Sequence, residues 1–320
     1  MVNQDIIDNL TQHQRENQLK RDRFRAAAYS KAIQQIRSVP YEITDVSQVS
    51  GMPGIGAKIR EKIQLVLEGR PKLATIEPIY EDLMKIPGVG PVKARDLVDV
   101  HHVKSIEDLR RKPGLLDAKQ RVGLKYYKYA GLKIPRREMD GHHEFLRAIV
   151  NKMKLVGQSP EFARQRAGFE SLEVEIAGSY RRGHYESSDI DVILTSTNPQ
   201  MFGCFIQLLR DEGYIIDTLS QGGKMFMGYA QLSPDATLGK PAPSEATPRR
   251  IDIIYTTPAE RPFALLYFSG PRKFNEEIRL EARRRGLLLN QHGLWHNTTR
   301  IPNLKTEREI VEYLGLRLPK

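Results

Sequence analysis

Residues 177–195 read AGSYRRGHYESSDIDVILT, and the rest of the chain is organised around them. The apolar run from Leu172 to Ala177 predicts a strand ahead of a Gly178-Ser179 corner. A basic turn follows, then a second strand carrying Asp189 and Asp191. Residues two apart on a strand point to the same face, so this D-x-D sets two carboxylates side by side. Like charges that close repel unless a cation lies between them, and hard oxygen ligands of this kind suit Mg²⁺. A Gly-Ser corner leading into a helix aims backbone N–H groups and a hydroxyl at an anion, with Arg181 and Arg182 as neutralising charge. A bare D-x-D is more often the polar face of an edge strand. Placed in one strand–turn–strand with G-S and R-R, it points to a metal beside a phosphate cradle, the arrangement that nucleotidyl transfer needs.

Working outward towards the C-terminus, strands are predicted over 214–219, 224–232 and 250–255, with helices over 139–157 and 200–212. This mixed order predicts an α+β domain with helices to one side of a sheet. In the strand Arg249-Arg250-Ile251-Asp252-Ile253-Ile254, Asp252 is flanked by apolar residues and needs a partner, which a metal shared with Asp189 and Asp191 would supply. The Pro- and Ala-rich stretch 234–248 reads as an exposed, mobile connection. From Pro262 the pattern is helical again, with Asn275 and Arg279 four apart on one face and Arg283 to Arg285 as a basic helix end. A hairpin around Gln291-His292-Gly293 and a helix capped by Thr306 and Glu309 complete the chain.

The N-terminal part is helical by pattern. Residues 5–38 predict two helices with a break near Arg15 to Asn17, and Arg25 and Tyr29 share a face of the second. Met52-Pro53-Gly54-Ile55-Gly56 then returns thirty-four residues later as Ile86-Pro87-Gly88-Val89-Gly90. Each copy sits between helical stretches, and its glycines allow a tight turn that exposes backbone N–H groups to a phosphate. Two copies in a basic region resemble the helix-hairpin-helix, which grips nucleic-acid backbone without reading sequence. The helix after the first copy buries Ile59, Ile63, Val66 and Leu67, stops at Gly69, and carries Lys58 and Lys62 on one face. Ser105 and Asp108 look like a further helix start, and the helical part ends near Pro135.

Composition agrees with a nucleic-acid partner. The 320 residues carry a net charge of +11, and most of the excess lies in residues 1–140, with 26 Lys and Arg against 18 Asp and Glu. Cys204 is the only cysteine, which excludes a disulfide framework or zinc ribbon and fits a reducing intracellular compartment. The first residues, MVNQDIIDNL, are too polar for a signal peptide, and no apolar run reaches membrane-spanning length. A soluble protein with no membrane association is expected.

The ordered set of double P-G-x-G hairpin, G-S-Y-R-R-G, D-I-D-V, R-R-I-D-I, Y-F-S-G and F-N resembles the family X DNA polymerases from about residue 15 to the C-terminus. No additional N-terminal interaction domain is expected. The resemblance implies a multi-domain chain. An all-α lyase domain with the first hairpin would occupy 1–80, and a helical DNA-binding subdomain with the second 81–140. A nucleotidyltransferase palm over 141–255 and a subdomain binding the nascent base pair over 256–320 would follow. The implied activities are filling of short gaps in base excision repair and 5′-deoxyribose-phosphate lyase chemistry. Asp189, Asp191 and Asp252 match the metal triad, for two Mg²⁺ ions that Mn²⁺ could replace, and Arg250 matches a residue orienting the primer-side carboxylate. Ser179, Arg182 and Ser187 match a triphosphate grip. Tyr267, Phe268 and Gly270 match a segment against the incoming sugar, and Asn275 and Arg279 match minor-groove contacts.

In the first domain Lys62 matches a Schiff-base nucleophile, and Arg25, Tyr29 and Lys58 match a pocket for the DNA 5′-phosphate. Gly54, Gly56, Gly88 and Gly90 match the hairpin turns. The backbone carbonyls of Ser50, Met52 and Ile55, and of Met84, Ile86 and Val89, match ligands for a monovalent cation, Na⁺ or K⁺. The implied partners are gapped or nicked DNA with a 5′-phosphate and deoxynucleoside triphosphates. A monomer is expected, nuclear if its source is eukaryotic. Three positions depart from the family pattern: Arg25 stands for lysine, Arg272 for an acidic residue beside the incoming base, and Ser188 for the glycine before the first aspartate. Two rival functions share much of this pattern, a template-independent terminal transferase and a non-catalytic scaffold for gapped DNA.

Overall fold

The computed structural model describes residues 3–71, 77–232 and 247–317. Most of the 234–248 connection, and the side chain of Arg272, lie outside the described residues. The protein is multi-domain, helical first and α+β afterwards. It divides into two compact units, Met1–Tyr127 and Lys128–Lys320. Among the described residues, no helix is long and apolar enough to cross a membrane.

In the first unit α1 (Gln4–Leu19) and α2 (Arg23–Ser38) lie against each other. The break between them falls at residues 20–22, later than the Arg15 to Asn17 expected from polarity. There Arg21 takes a left-handed φ of 60° and the Asp22 side chain accepts the Arg25 N–H. Polarity misleads because His13 and Asn17 continue the buried face of α1. Asn17 Nδ2 donates to the His13 carbonyl at 2.7 Å, and the His13 ring stacks on Tyr29, so neither buried side chain is left without a polar or aromatic contact.

The two hairpin copies fold alike. Gly54 and Gly88 sit at φ 87° and 88°, a region that favours glycine, while Ile55 and Val89 point into separate apolar cores. The first turn leads into α3 (Ala57–Leu67), whose Ile59 and Ile63 are buried. The second lies between α4 (Pro78–Met84) and α5 (Pro91–Arg95), ahead of α6 (Ile106–Arg110) and α7 (Ala118–Lys125). The Ser105 side chain accepts the Asp108 N–H at the start of α6.

The second unit begins with β1 (Ile134–Pro135), α8 (Arg136–Val156) and α9 (Arg166–Glu170). It continues through β2 (Glu173–Ile176), α10 (Gly178–Arg181), β3 (Glu186–Ser187), β4 (Ile190–Thr195) and α11 (Gln200–Asp211). With β5 (Ile215–Gln221), β6 (Met225–Ala230) and β7 (Arg249–Thr256), a five-stranded sheet forms in the order β2-β4-β7-β6-β5. Only the β4–β7 pair is parallel.

Strand alternation then decides which side chains share a face. Val192, Leu194, Ile251 and Ile253 join Leu146 and Ile149 of α8 and Phe202 and Phe205 of α11 in the largest core. On the opposite face Ile193 and Ile254 meet Ala264 and Leu265 of α12 (Arg261–Ser269). Helices therefore lie on both faces, which corrects the expectation of helices to one side. The reason is that Asp191 and Asp252 share their alternation with Ile193 and Ile254, and the apolar half of that face needs cover. The chain ends in α13 (Arg272–Arg284), the antiparallel strands β8 (Leu287–Asn290), β9 (Gly293–His296) and β10 (Thr299–Arg300), and α14 (Glu307–Tyr313). A reciprocal box between Thr306 and Glu309 starts α14.

Candidate active site

β4 and β7 run in a register that sets Asp191 opposite Asp252. Asp189 immediately precedes β4 and does not lie within it. The Asp191 carboxyl is pushed up to about 7, first by burial and then by the charges of Asp189 and Asp252, with Arg182 and Arg250 opposing. Burial also raises Asp189 against the pull of Arg250 and Lys133. Arg250 donates from Nη2 to Asp252 Oδ1 at 2.7 Å. Among the described residues the carboxylates are not closed into a group of three ready to grip an ion. Their mutual repulsion in a half-buried site is nonetheless the electrostatic deficit that a divalent cation fills, and the donor set is all hard oxygen. The residue types present thus suit a hard divalent cation.

The Gly178 corner packs directly on the Asp191 carboxylate. Gly178 has φ 60° and the Ala177 N–H donates to the Asp191 carbonyl at 2.8 Å. Ser179 Oγ donates to Ser187 Oγ at 2.8 Å, which brings two of the predicted grip residues together. Ser187 sits in β3, which pairs with β1 through Ile134. That pairing delivers Lys133, whose Nζ donates to Ser188 Oγ at 2.8 Å. The Ser188 hydroxyl is therefore engaged by a lysine. Lys133 was not among the sequence candidates, because 55 residues separate it from Ser188 and only a two-residue strand pairing joins them.

The corner is braced from α8. Tyr180 donates its hydroxyl to Asp140 at 2.8 Å, and the Arg136 guanidinium lies 4.6 Å from the Tyr180 ring centroid. Burial, then the Asp140 hydrogen bond, push the Tyr180 hydroxyl up to about 12, so it stays a donor. Arg182 reaches across to donate to the Ser269 carbonyl at 2.8 Å, linking the corner to the end of α12. Arg181 turns away to a bidentate pair with Glu307 and a second contact with Glu175.

The other predicted residues of this unit gather at the α12–α13 corner. The Tyr267 and Phe268 ring centroids are 5.1 Å apart. Asn275 Nδ2 donates to the carbonyls of Tyr267, at 2.6 Å, and Gly270, at 3.2 Å. Arg279 donates to the Asn275 carbonyl and lies over the Tyr267 ring at 4.7 Å. Asn275 and Arg279 thus hold the corner that presents Gly270.

In the first unit Arg25 is exposed and pairs with Asp22 at 3.3 Å. One turn along, Tyr29 is buried, and burial raises its hydroxyl while the Arg25 charge opposes. Lys58 is exposed in the first turn of α3 and Lys62 is half-buried one turn later. Among the predicted carbonyl ligands, Met52 and Ile86 already accept the turn N–H groups of Ile55, at 3.1 Å, and Val89, at 2.9 Å. Ser50 faces Arg60 Nη1 at 3.5 Å. The sequence reading missed His13, although its place in the apolar stripe of α1 marks it as inward-facing.

Four family models match the chain in order: a helix-hairpin-helix domain over residues 1–72, the fingers domain of DNA polymerase lambda over 81–129, the DNA polymerase beta palm over 133–258 and the DNA polymerase beta thumb over 264–319. The chain belongs to the family X DNA polymerases. Among individual members of family X, DNA polymerase lambda of Rattus norvegicus is 27% identical, over 92% of this chain and 51% of its own length. DNA polymerase lambda of Arabidopsis thaliana is 28% identical, over 91% of this chain and 56% of its own. The chain spans about half the length of these curated relatives. The family X palm match begins at Lys133, the residue that the structure adds to the site.

Proposed function

We propose that the protein is a DNA-directed DNA polymerase that fills short gaps during repair, with residues 141–255 as its palm and 256–320 as the part that closes on the nascent base pair. The observation that carries this reading is the parallel register of Asp191 with Asp252, beside Asp189, in a site whose negative charge is undercompensated. Asp189, Asp191 and Asp252 would hold two Mg²⁺. Bound there, the ions would lower the pKa of the primer 3′-hydroxyl and stabilise charge developing in an in-line phosphoryl transfer.

The remaining work falls to the chain's own groups. Arg250 keeps the Asp252 carboxylate turned by their 2.7 Å bond. Ser179, Ser187, Lys133 and Arg182 supply hydroxyls and positive charge to the triphosphate, so that the reacting atoms are held in line. Tyr267, Phe268 and Gly270 press on the sugar edge and exclude a 2′-hydroxyl by overlap. Asn275 and Arg279 test the shape of the pair from its minor-groove side.

In the first unit, residues 1–80 would act as a 5′-deoxyribose-phosphate lyase. The Lys62 amine attacks the C1′ aldehyde of an incised abasic site and loses water to form a Schiff base. Loss of the C2′ proton then breaks the C3′–O bond and expels the downstream strand with its 5′-phosphate, and water hydrolyses the remaining imine to release the sugar phosphate and restore the amine. Arg25, Tyr29 and Lys58 hold the 5′-phosphate, and both hairpins, the second within 81–140, grip the DNA backbone, with a monovalent cation at their carbonyls. The direct test is extension of a labelled primer across a one-nucleotide gap in Mg²⁺, with and without a 5′-phosphate on the downstream strand. Insertion of the templated nucleotide, faster with the phosphate, supports the reading, and a chain that binds gapped DNA without extending it supports the scaffold instead.

A further inference from the structure

Arg249 opens β7, one residue ahead of Arg250, so the two side chains leave opposite faces of the strand. Arg250 turns to Asp252, whereas Arg249 turns to α8 and is 8% exposed. There its Nε donates to Glu138 Oε1 at 2.6 Å and its Nη2 to Oε2 at 2.7 Å, a planar fork on a planar carboxylate. Its Nη1 donates to the Lys133 carbonyl at 3.2 Å. One turn along α8 from Glu138, the buried His142 accepts or donates at Nδ1 with the Tyr214 hydroxyl at 2.8 Å, and its Nε2 lies 3.8 Å from Glu138. Desolvation offsets much of the attraction in a buried ion pair, so such a pair is a weak source of stability and a strong constraint on geometry.

Both ends of this constraint reach the candidate active site. Along β7 it leads through Arg250 to Asp252. Through the Lys133 backbone it leads to the amine that sits on Ser188, next to Asp189. We propose that Arg249 and Glu138 are positioning residues for nucleotide addition, holding the Lys133 amine in place on Ser188 through the Lys133 backbone. This rests on the polymerase reading above. It assigns a role to a pair whose bonds are to each other and to the chain around Lys133.

The test is steady-state gap filling by the full chain and its Glu138→Gln, Lys133→Ala and doubly substituted variants, with thermal unfolding followed alongside. Glu138→Gln keeps the shape of the side chain but breaks the fork. It should raise the nucleotide KM by roughly tenfold or more, the scale on which losing a group that orients a working residue is felt. The double variant should match Lys133→Ala alone, because the pair acts through the lysine. Glu138→Asp, which keeps the charge, should recover part of the KM. A purely structural role would instead lower kcat with the folded fraction and leave KM in place. An unchanged KM in folded Glu138→Gln, or losses that multiply in the double variant, would overturn the proposal. Should Glu138→Gln not fold, Arg249→Lys faces the same two outcomes. A wild-type chain that adds no nucleotide overturns the polymerase reading and this role together, whereas an active wild type with an unaffected variant overturns this role alone.

Discussion

Gly178 and Asp191 are in such close contact that a Cβ on the glycine would overlap the Asp191 carboxylate, lying 3.1 Å from its Cγ. The glycine also holds a φ of 60° that L side chains rarely adopt. Gly178→Ala should therefore cost about 1–2 kcal/mol in backbone strain. It should also displace the carboxylate, lowering the rate of nucleotide addition by about a hundredfold. Gap-filling rates set beside equilibrium binding of gapped DNA check this, with binding expected to hold. A variant as fast as wild type would show that the contact does not position Asp191.

Removing a carboxylate from the triad should separate chemistry from binding. Asp191→Ala or Asp252→Ala should abolish nucleotide addition and leave affinity for gapped DNA within a few-fold, since backbone contacts and positive charge elsewhere supply most of it. In chelator, Asp191→Asn should melt at or above the wild-type temperature. A carboxyl raised to about 7 destabilises the folded state when ionised at higher pH, and the amide removes that repulsion. Loss of DNA binding in a folded variant, or a lower melting temperature for Asp191→Asn, would contradict this.

Lys62 should be trapped by borohydride as a covalent adduct on DNA with a pre-incised abasic site. Lys62→Ala should lose most of that adduct while gap filling survives. Undiminished trapping would move the role to Lys58 or another amine.

His142 should make the second unit acid-sensitive. Burial holds its imidazole below the ordinary value of 6.5, with Arg249 adding to the effect and Glu138 opposing it. The unfolded chain therefore binds the proton more readily, so stability is level above about pH 6.5 and falls as the pH drops towards the folded-state pKa. Chemical denaturation of wild type and His142→Gln between about pH 7.5 and pH 5, a range that brackets the free imidazole pKa, should show a loss in the wild type that is smaller in the variant. Parallel losses would assign the sensitivity elsewhere.

Much of the site was legible because its residues lie close together in sequence. The D-x-D spacing brought two carboxylates to one place although Asp189 lies just ahead of β4 and not on it, and the apolar neighbours of Asp252 marked it as an acid in need of a partner, which Arg250 supplies. The repeated P-G-x-G turn was equally plain, since Gly54 and Gly88 adopt nearly the same positive φ. Lys133 could not be read this way. Its place depends on a two-residue pairing between β1 and β3, too short to leave a period in the sequence. The break after α1 was misread for a related reason, as buried polar residues such as Asn17 satisfy themselves on backbone groups that a pattern of side chains does not reveal. Helices on both faces of the sheet were missed because the apolar half of the Asp191 face becomes apparent only once β4 and β7 are paired.

The most direct test of the central claim is single-turnover addition in Mg²⁺ on a one-nucleotide gap, run for each template base with all four deoxynucleotides and the matching ribonucleotide, beside the same primer as a single strand. A templated polymerase built on Asp189, Asp191 and Asp252, with Tyr267 and Phe268 against the sugar, should insert the complementary deoxynucleotide opposite each base. It should use the ribonucleotide poorly and leave the single strand almost untouched. Efficient tailing of the single strand, or equal use of both sugars, would contradict the account and favour a terminal transferase.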